Sequence, residues 1–408
     1  MTWGTEGDIR PFHALARVLA DHGHDVALSY WALSDVELAD DDRLTIRSMG
    51  RAHIDEIDID AIRREVDSRR GPIRKLRTIT GHILWPLLGE VHDESVRLAA
   101  TSDLIVRHPI MYPTAFAARA ARIPSALLQP APLSFVGQAP ANGLFGTIRN
   151  LEAGCGLLTA LALDATLGLW QFRQATGVRP RFRGQRLVTD SDLTLVAASP
   201  ALCDARHSRG GPIHVVGQLE TPREPATPSA EVAAFLDAGD PPVLLTVGSI
   251  VAIEGVIAEG GWLLEGLERA GVRALLQIPE SMAEGVQGQS EFLRVDHLDY
   301  ASVVPRCSAV IHHGGAGTTH AVVRAATPAV VIPHFLDQYY WADRVQELGV
   351  GTKVDFRRAD PVELATAIRR CAADDAMSAR AGQLAHQMTS DRGGERAVAL
   401  LEELNASR

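Results

Sequence analysis

The sequence predicts an α/β protein built from two doubly wound, Rossmann-like domains. Three observations carry that expectation. The chain has 408 residues, too many for one typical domain and suited to two halves of about 200. Strand-like and helix-like stretches alternate along it, the pattern of parallel sheets covered by helices. At 46% hydrophobic residues it can bury two sizeable cores.

In the first half, residues 11–21 carry Phe12, Leu15, Ala16 and Leu19 at helical spacing. Residues 26–30, 103–106, 125–128 and 193–198 read as strands, the last closing this half. Residues 220–228, rich in proline and charge, mark a linker. The expected division is a first domain over 1–217, a linker over 218–240 and a second domain over 241–390. In the second domain 243–247, 274–278, 309–312 and 329–332 read as strands, and 262–270 as a helix.

Charge and cysteine usage exclude several classes. A formal net charge of −10 lacks the basic footprint on which nucleic-acid affinity rests, so small molecules are the expected partners. Cys155, Cys203, Cys307 and Cys371 are far apart with no C-x-x-C, which suggests free thiols in a reducing compartment. The longest nearly apolar run, 153–163, is far short of a bilayer span, and no leader pattern opens the chain. A cytoplasmic protein without a membrane span is expected. The basic run Arg63, Arg64, Arg69, Arg70, Arg74, Lys75, Arg77 could touch an anionic membrane surface, whereas the interleaved Glu65 and Asp67 favour a solvated helix face.

The most informative stretch is 308–338. A strand pattern runs into His312-His313-Gly314-Gly315-Ala316-Gly317-Thr318-Thr319 and, a helix later, into Asp337-Gln338. The glycines let backbone approach a ligand closely. The helical composition of 319–326 would turn free N–H groups and a positive dipole end toward an anion such as a nucleotide-sugar diphosphate. Competing readings are a plain tight turn, a dinucleotide fingerprint and a metal site. Gly315-Ala316-Gly317-Thr318-Thr319-His320 lacks the third glycine of G-x-G-x-x-G. Adjacent His312 and His313 point to opposite faces of a strand, without a partner spacing for metal.

These residues resemble the inverting glycosyltransferases of family 1, in particular the bacterial branch similar to sterol and antibiotic glucosyltransferases. Over 295–338 the family's donor signature keeps its spacing, with His313, Gly315, Gly317, Thr318, Pro328, Pro333, Asp337 and Gln338 at matching places. Residues 4–11 (Gly-Thr-Glu-Gly-Asp-Ile-Arg-Pro), Gly23-His24-Asp25-Val26, and Val247-Gly248-Ser249 match other blocks of the family, so the resemblance spans nearly the whole chain. It implies a GT-B fold, two such domains facing across a cleft, with residues 391–408 ending in a helix that packs back on the first domain. His313 and Thr318 would bind the donor diphosphate, aided by Ser249, Gly315 and Gly317, while Asp337 and Gln338 hold sugar hydroxyls. No divalent cation or other cofactor would be needed, the UDP- or dTDP-sugar being a co-substrate.

The reaction needs a base on the acceptor hydroxyl. Asp8 occupies the family's position for it. An Asp ahead of Pro11 also suits the N-cap of a helix starting there, and the residues alone leave both open. The resemblance favours the base. His108, after the strand at 103–106, falls where strand ends open on a ligand crevice and is an acceptor-side candidate, with a satisfied loop histidine as its alternative. Trp85 and Trp170 lie among the apolar stretches 79–88 and 157–169, which suit either a lipophilic acceptor pocket or plain helix core.

Three departures stand out. Val295 occupies the place of a base-stacking aromatic, leaving dTDP donors open beside UDP. Ala321 replaces a ribose-binding Glu common in plant relatives. Only Met1-Thr2-Trp3 precede Gly4, where relatives have a full central strand, so either the true start lies upstream or the first domain is weakened. The expected activity is transfer of a hexose or deoxyhexose from UDP or dTDP to a hydroxyl of a sterol, macrolide or polyketide aglycone. The alternatives are a catalytically silent relative that activates a partner transferase, and a same-fold nucleotide-sugar epimerase.

Overall fold

The computed structural model describes residues 1–33, 36, 38, 41–50, 72–131, 164–165, 167–179, 188–203, 213–221, 224–248, 261–283, 286, 288–334, 337–358 and 360–407, without the side chains of 72–76 and 79. The chain forms two compact units. The first comprises Met1–Pro200, Asp204–Thr221 and Arg392–Arg408, and the second Ala201–Cys203 and Pro222–Asp391.

In the first unit β1 (Thr2–Gly4), β2 (Val26–Ala32) and β3 (Leu44–Ser48) form one parallel sheet, and β4 (Ile105–Arg107), β5 (Ser125–Gln129), β6 (Leu193–Val196) and β7 (Ile213–Val215) another. Met1 stitches them together. Its amino group donates to Val106 O at 2.7 Å and its carbonyl accepts from His108 N at 2.9 Å. The order across both is therefore β3-β2-β1-β4-β5-β6-β7, with the direction of winding reversing between β1 and β4. Short as it is, β1 pairs in register with β2, Thr2 opposite Tyr30 and Gly4 opposite Ala32. Phe12 and Leu15, Leu28, Leu128 and Leu195 share one core with Ala397, Val398 and Leu401 of the C-terminal helix (Gly393–Ala406).

Helix α1 (Glu6–Asp21) starts earlier than the 11–21 pattern suggests. Thr5 is its N-cap, and Asp8 stands at the third helical position of a capping box rather than at the cap. The Thr5-x-x-Asp8 pair nucleates the turn. Pro11 then lies inside the helix, where it lacks the N–H that would reach the Gly7 carbonyl. The reading of Asp8 as N-cap is thereby corrected. His24, in the turn that follows, bonds Glu402 of the C-terminal helix at 3.0 Å.

The second unit is one six-stranded parallel sheet, order β10-β9-β8-β11-β12-β13, from β8 (Val243–Thr246), β9 (Ala274–Gln277), β10 (Phe292–Arg294), β11 (Ala309–His312), β12 (Ala329–Val331) and β13 (Gly351–Lys353). Its winding reverses between β8 and β11. All the β8 and β11 residues are buried, so these strands read as continuous apolar runs rather than alternating ones. The segment 218–240 is not linker throughout. It contains helix Ala230–Asp237, where Ser229 Oγ accepts from Val232 N at 3.3 Å and Val232 and Leu236 are buried; the units divide within it, at Thr221 and Pro222. The apolar spacing of Val232 and Leu236 is a short helical stripe that the preceding proline-rich run obscures. Residues 201–203 belong to this unit because Leu202 O accepts from Arg344 Nε at 3.0 Å and Cys203 Sγ lies 3.4 Å from the Tyr340 hydroxyl.

Among the described residues no helix is long and apolar enough to cross a membrane, and no three His, Cys, Asp or Glu side chains are grouped to hold a metal ion.

Candidate active site

Ligands of doubly wound sheets bind outside the carboxyl ends of the strands, where the winding reverses. In the second unit that point lies between β8 and β11, and it is filled by His313. Helix α2 (Ala316–Arg324) follows, with Gly315 as N-cap and no side-chain cap, so the amides of its first turn are not taken by a capping group. A Cβ on Gly248 or on Gly315 would run into the His313 ring, and Gly248 has φ +71°. The imidazole is thus held between two backbones that only glycine lets this close. Gly314, at φ +88°, packs as tightly: a Cβ there would lie 2.9 Å from Gln338 O. Among the described residues nothing lies within 4 Å of a Cβ added at Gly317.

His313 Nδ1 is buried and has no hydrogen-bond partner among the described residues. Burial lowers its pKa to about 4, and that of His334 to about 4, with the neighbouring His313 a smaller cause for His334. Both are neutral at pH 7. His312 Nδ1 accepts from Gly314 N at 3.0 Å, which shapes the turn, and burial brings its pKa to about 3.

Gln338, 2% exposed, opens helix α3 (Gln338–Glu347), and its Oε1 accepts from His334 N at 2.8 Å. Asp337 Oδ2 accepts from Trp341 Nε1 at 3.2 Å. These bonds fix the loop that precedes α3. Thr318 is half-buried on the first turn of α2. Ser249 lies outside the described residues. Val295 is turned into the core, 9% exposed, with its N–H on Leu276 O at 3.0 Å. His334 and Gly248 belong to this site and sequence reasoning did not single them out. The signals were present, His334 directly after Pro333 and Gly248 within Val247-Gly248-Ser249.

In the first unit the reversal lies between β1 and β4. Asp8 follows β1, and His108 follows β4. Asp8 Oδ2 accepts from Thr5 N at 3.0 Å and from Thr5 Oγ1 at 3.2 Å, while Oδ1 lies 3.8 Å from His108 Nε2. The Asp8 side chain is 31% exposed, yet burial raises its pKa to about 6 against the lowering effect of the Thr5 bonds. Gly4, at φ +117°, has no room for a Cβ because Asp8 fills it. His108 is 7% exposed, against the rings of Trp3 and Phe12, and burial, then Arg107 and the Met1 amino group, lower its pKa to about 3.

Trp85 is half-buried in a short 3-10 turn (Trp85–Leu87). A Cβ on Gly168 would run into its ring, and the Arg77 guanidinium stands 5.7 Å from the ring centre. These contacts account for it as packing. Trp170 is 64% exposed. Of the basic run, 63–70 lies outside the described residues, as does most of 157–169.

Comparison with known proteins places this geometry in a family. Residues 261–404 match the Erythromycin biosynthesis protein CIII-like, C-terminal domain. O-mycaminosyltylonolide 6-deoxyallosyltransferase of Streptomyces fradiae is 30% identical over 100% of this chain and 97% of its own length. Vancomycin aglycone glucosyltransferase of Amycolatopsis orientalis is 36% identical over 173 residues, 40% of this chain and 39% of its own. Among solved structures, the glycosyltransferase VinC in complex with dTDP superposes with a TM-score of 0.62 at 18% identity, covering 100% of this chain and 99% of that one. The chain belongs to the family 1 glycosyltransferases of the antibiotic type, with the GT-B fold. It is a glycosyltransferase.

Proposed function

We propose that the protein transfers a hexose or deoxyhexose from a UDP- or dTDP-sugar to a hydroxyl of a lipophilic secondary metabolite or sterol, with inversion and without a metal. The observation that carries this reading is the His313 ring held between Gly248 and Gly315 at the open start of α2. A leaving diphosphate there meets three first-turn amides, a helix dipole and a neutral imidazole. Such donors stabilise charge developing on the leaving group, the task a cation performs elsewhere. Asp337 and Gln338, fixed by Trp341 and His334, present the sugar-binding loop. Ser249 joins the diphosphate contacts by its place in the motif.

Asp8 acts as the base. Its carboxyl, raised to about 6, is ionised at neutral pH and more basic than an ordinary carboxylate. The names of two relatives support an aglycone-like acceptor, and a neighbour solved with dTDP supports a thymidine donor.

The test is a thermal-shift titration with UDP, dTDP, UDP-glucose and dTDP-glucose, since a ligand of the native state raises the midpoint. One nucleotide series should stabilise the wild type and leave His313→Ala unmoved. No response to any of the four would remove the donor assignment.

A further inference from the structure

The geometry points to His108 as the positioning residue of Asp8: its Nε2–H is poised to donate to Asp8 Oδ1, holding the carboxylate ionised and aimed, while the imidazole itself takes no proton. This rests on reading Asp8 as the base.

The tautomer follows from the backbone. Pro109 after His108 forces an extended exit from β4, and the next free amide, Ile110 N, donates to His108 Nδ1 at 3.3 Å. With Nδ1 an acceptor, a neutral ring carries its proton on Nε2. That atom faces Asp8 Oδ1 at 3.8 Å. The gap is about 1 Å beyond a direct bond and too short for a bridging water. Contacts of this kind close in the substrate complex. The carboxylate's other oxygen is already held by Thr5 N and Thr5 Oγ1, so Oδ1 is the oxygen left for the imidazole.

The surroundings keep the ring neutral. The charged groups facing it are the Arg107 guanidinium on β4 and the Met1 amino group just before β1, both of which oppose a charge on His108, and Asp8 on α1. Arg107 is fully buried and donates to Pro109 O and Asp190 O, which fixes the loop that carries His108. Trp3 and Phe12 close two further sides with apolar rings. Glu6 and Arg10 on α1 are paired with each other. A neutral imidazole in such a place donates without competing for the acceptor's proton, which leaves one residue, Asp8, to titrate.

The experiment is a carbon-NMR titration of the chain labelled at the Asp carboxyl carbons, with the Asp8 signal identified by its loss in Asp8→Asn. In the wild type Asp8 should titrate near pH 6. In His108→Leu it should titrate about one unit higher, a tenfold gain in proton affinity, and in His108→Gln, whose amide can donate from a similar place, it should return toward the wild-type midpoint. Coincident midpoints in wild type and His108→Leu overturn the proposal. If His108→Leu does not fold, nitrogen-NMR of the histidines in the wild type decides. His108 should stay neutral with its proton on Nε2, and that N–H should shift as Asp8 ionises; a proton on Nδ1, or no response, overturns it. Hydrolysis of UDP-glucose and dTDP-glucose separates the two levels. Full activity in Asp8→Asn sinks the base itself, whereas loss of activity there with an unmoved acid limb in His108→Leu sinks only the positioning role.

Discussion

The two units solve the same geometric problem with opposite electrostatics. Each places a histidine just after the strand on the far side of the winding reversal, His108 after β4 and His313 after β11. Each also opens the near side with a positive-φ glycine, Gly4 at the end of β1 and Gly248 after β8. In the second unit that glycine makes room for the histidine, and the imidazoles of His313 and His334 are neutral, with the one carboxylate, Asp337, held by Trp341 Nε1 at the start of α3. In the first it makes room for a carboxylate, Asp8, with a pKa raised to about 6. A site of neutral donors suits an incoming anion; a desolvated carboxylate suits proton abstraction. On the proposed reading, the same fold serves as a diphosphate cradle or a base according to which side chain fills the space beside one glycine.

The largest expected effect removes the charged member of this comparison. Asp8→Asn keeps the shape and can still accept from Thr5, yet it cannot take a proton. The transfer rate should fall on the order of 10²–10⁴-fold while nucleotide binding in thermal shift is unchanged. In the wild type, the rate should rise with pH through about 6 as Asp8 ionises. A pH-independent rate between 5 and 8 would falsify the assignment. His313→Ala comes next. It should lose about 3 kcal/mol of leaving-group stabilisation, typical of one preorganised donor, together with the thermal shift by nucleotide.

How legible these two places were in the sequence differs for a physical reason. The donor cradle is local: strand, glycine turn, helix start and Asp337-Gln338 fall within 308–338, and a positive-φ turn at a helix start has few sequence solutions. The motif that holds His313, Gly315 and Gly317 was visible in the sequence as a candidate, and the family resemblance assigned it to the donor over a plain turn. The pair Asp8 and His108 is assembled by the β1/β4 neighbour relation, which no local pattern encodes. Each residue was visible singly, but their 3.8 Å approach was not. The start of α1 was missed because a capping box with Asp in place of Glu was outweighed by Pro11. The helix at Ala230–Asp237 was missed because only two of its residues, Val232 and Leu236, form its buried stripe, which beside a proline-rich run carries little periodic signal.

Acid stability sharpens the contrast. His312 and His320, each 1% exposed, have pKa values lowered by burial to about 3 and about 4. Below pH 6.5 the unfolded chain binds protons that these folded rings refuse. Stability should therefore fall from pH 6.5 toward 4, on the order of 1–3 kcal/mol for each ring. Asp8 acts in the other direction. Its folded pKa lies above the unfolded value of 3.8, so its buried charge is a cost above about 6 that is relieved as pH falls toward 4. Denaturant midpoints at pH 7 and 5 should show the histidine loss dominating in the wild type. In Asp8→Asn, stability at pH 7 should rise by about 1 kcal/mol, a value kept small because the side chain is 31% exposed.

The smallest and most discriminating change is Gly317→Ala. Among the described residues nothing lies within 4 Å of the added methyl, and alanine is the better helix former by about 1 kcal/mol in a helix interior. Stability of the free protein should stay level or rise slightly. A diphosphate seated on the first turn of α2 occupies that same empty volume, so the methyl should weaken UDP or dTDP binding by about tenfold, or roughly 1.4 kcal/mol. Gly248→Ala is the counterpart, because there the methyl meets His313 itself and the backbone is at φ +71°. It should lower the melting midpoint and binding together. Separate effects at Gly317 and joint effects at Gly248 would locate the ligand over α2. Equal binding by Gly317→Ala and wild type would move the diphosphate elsewhere.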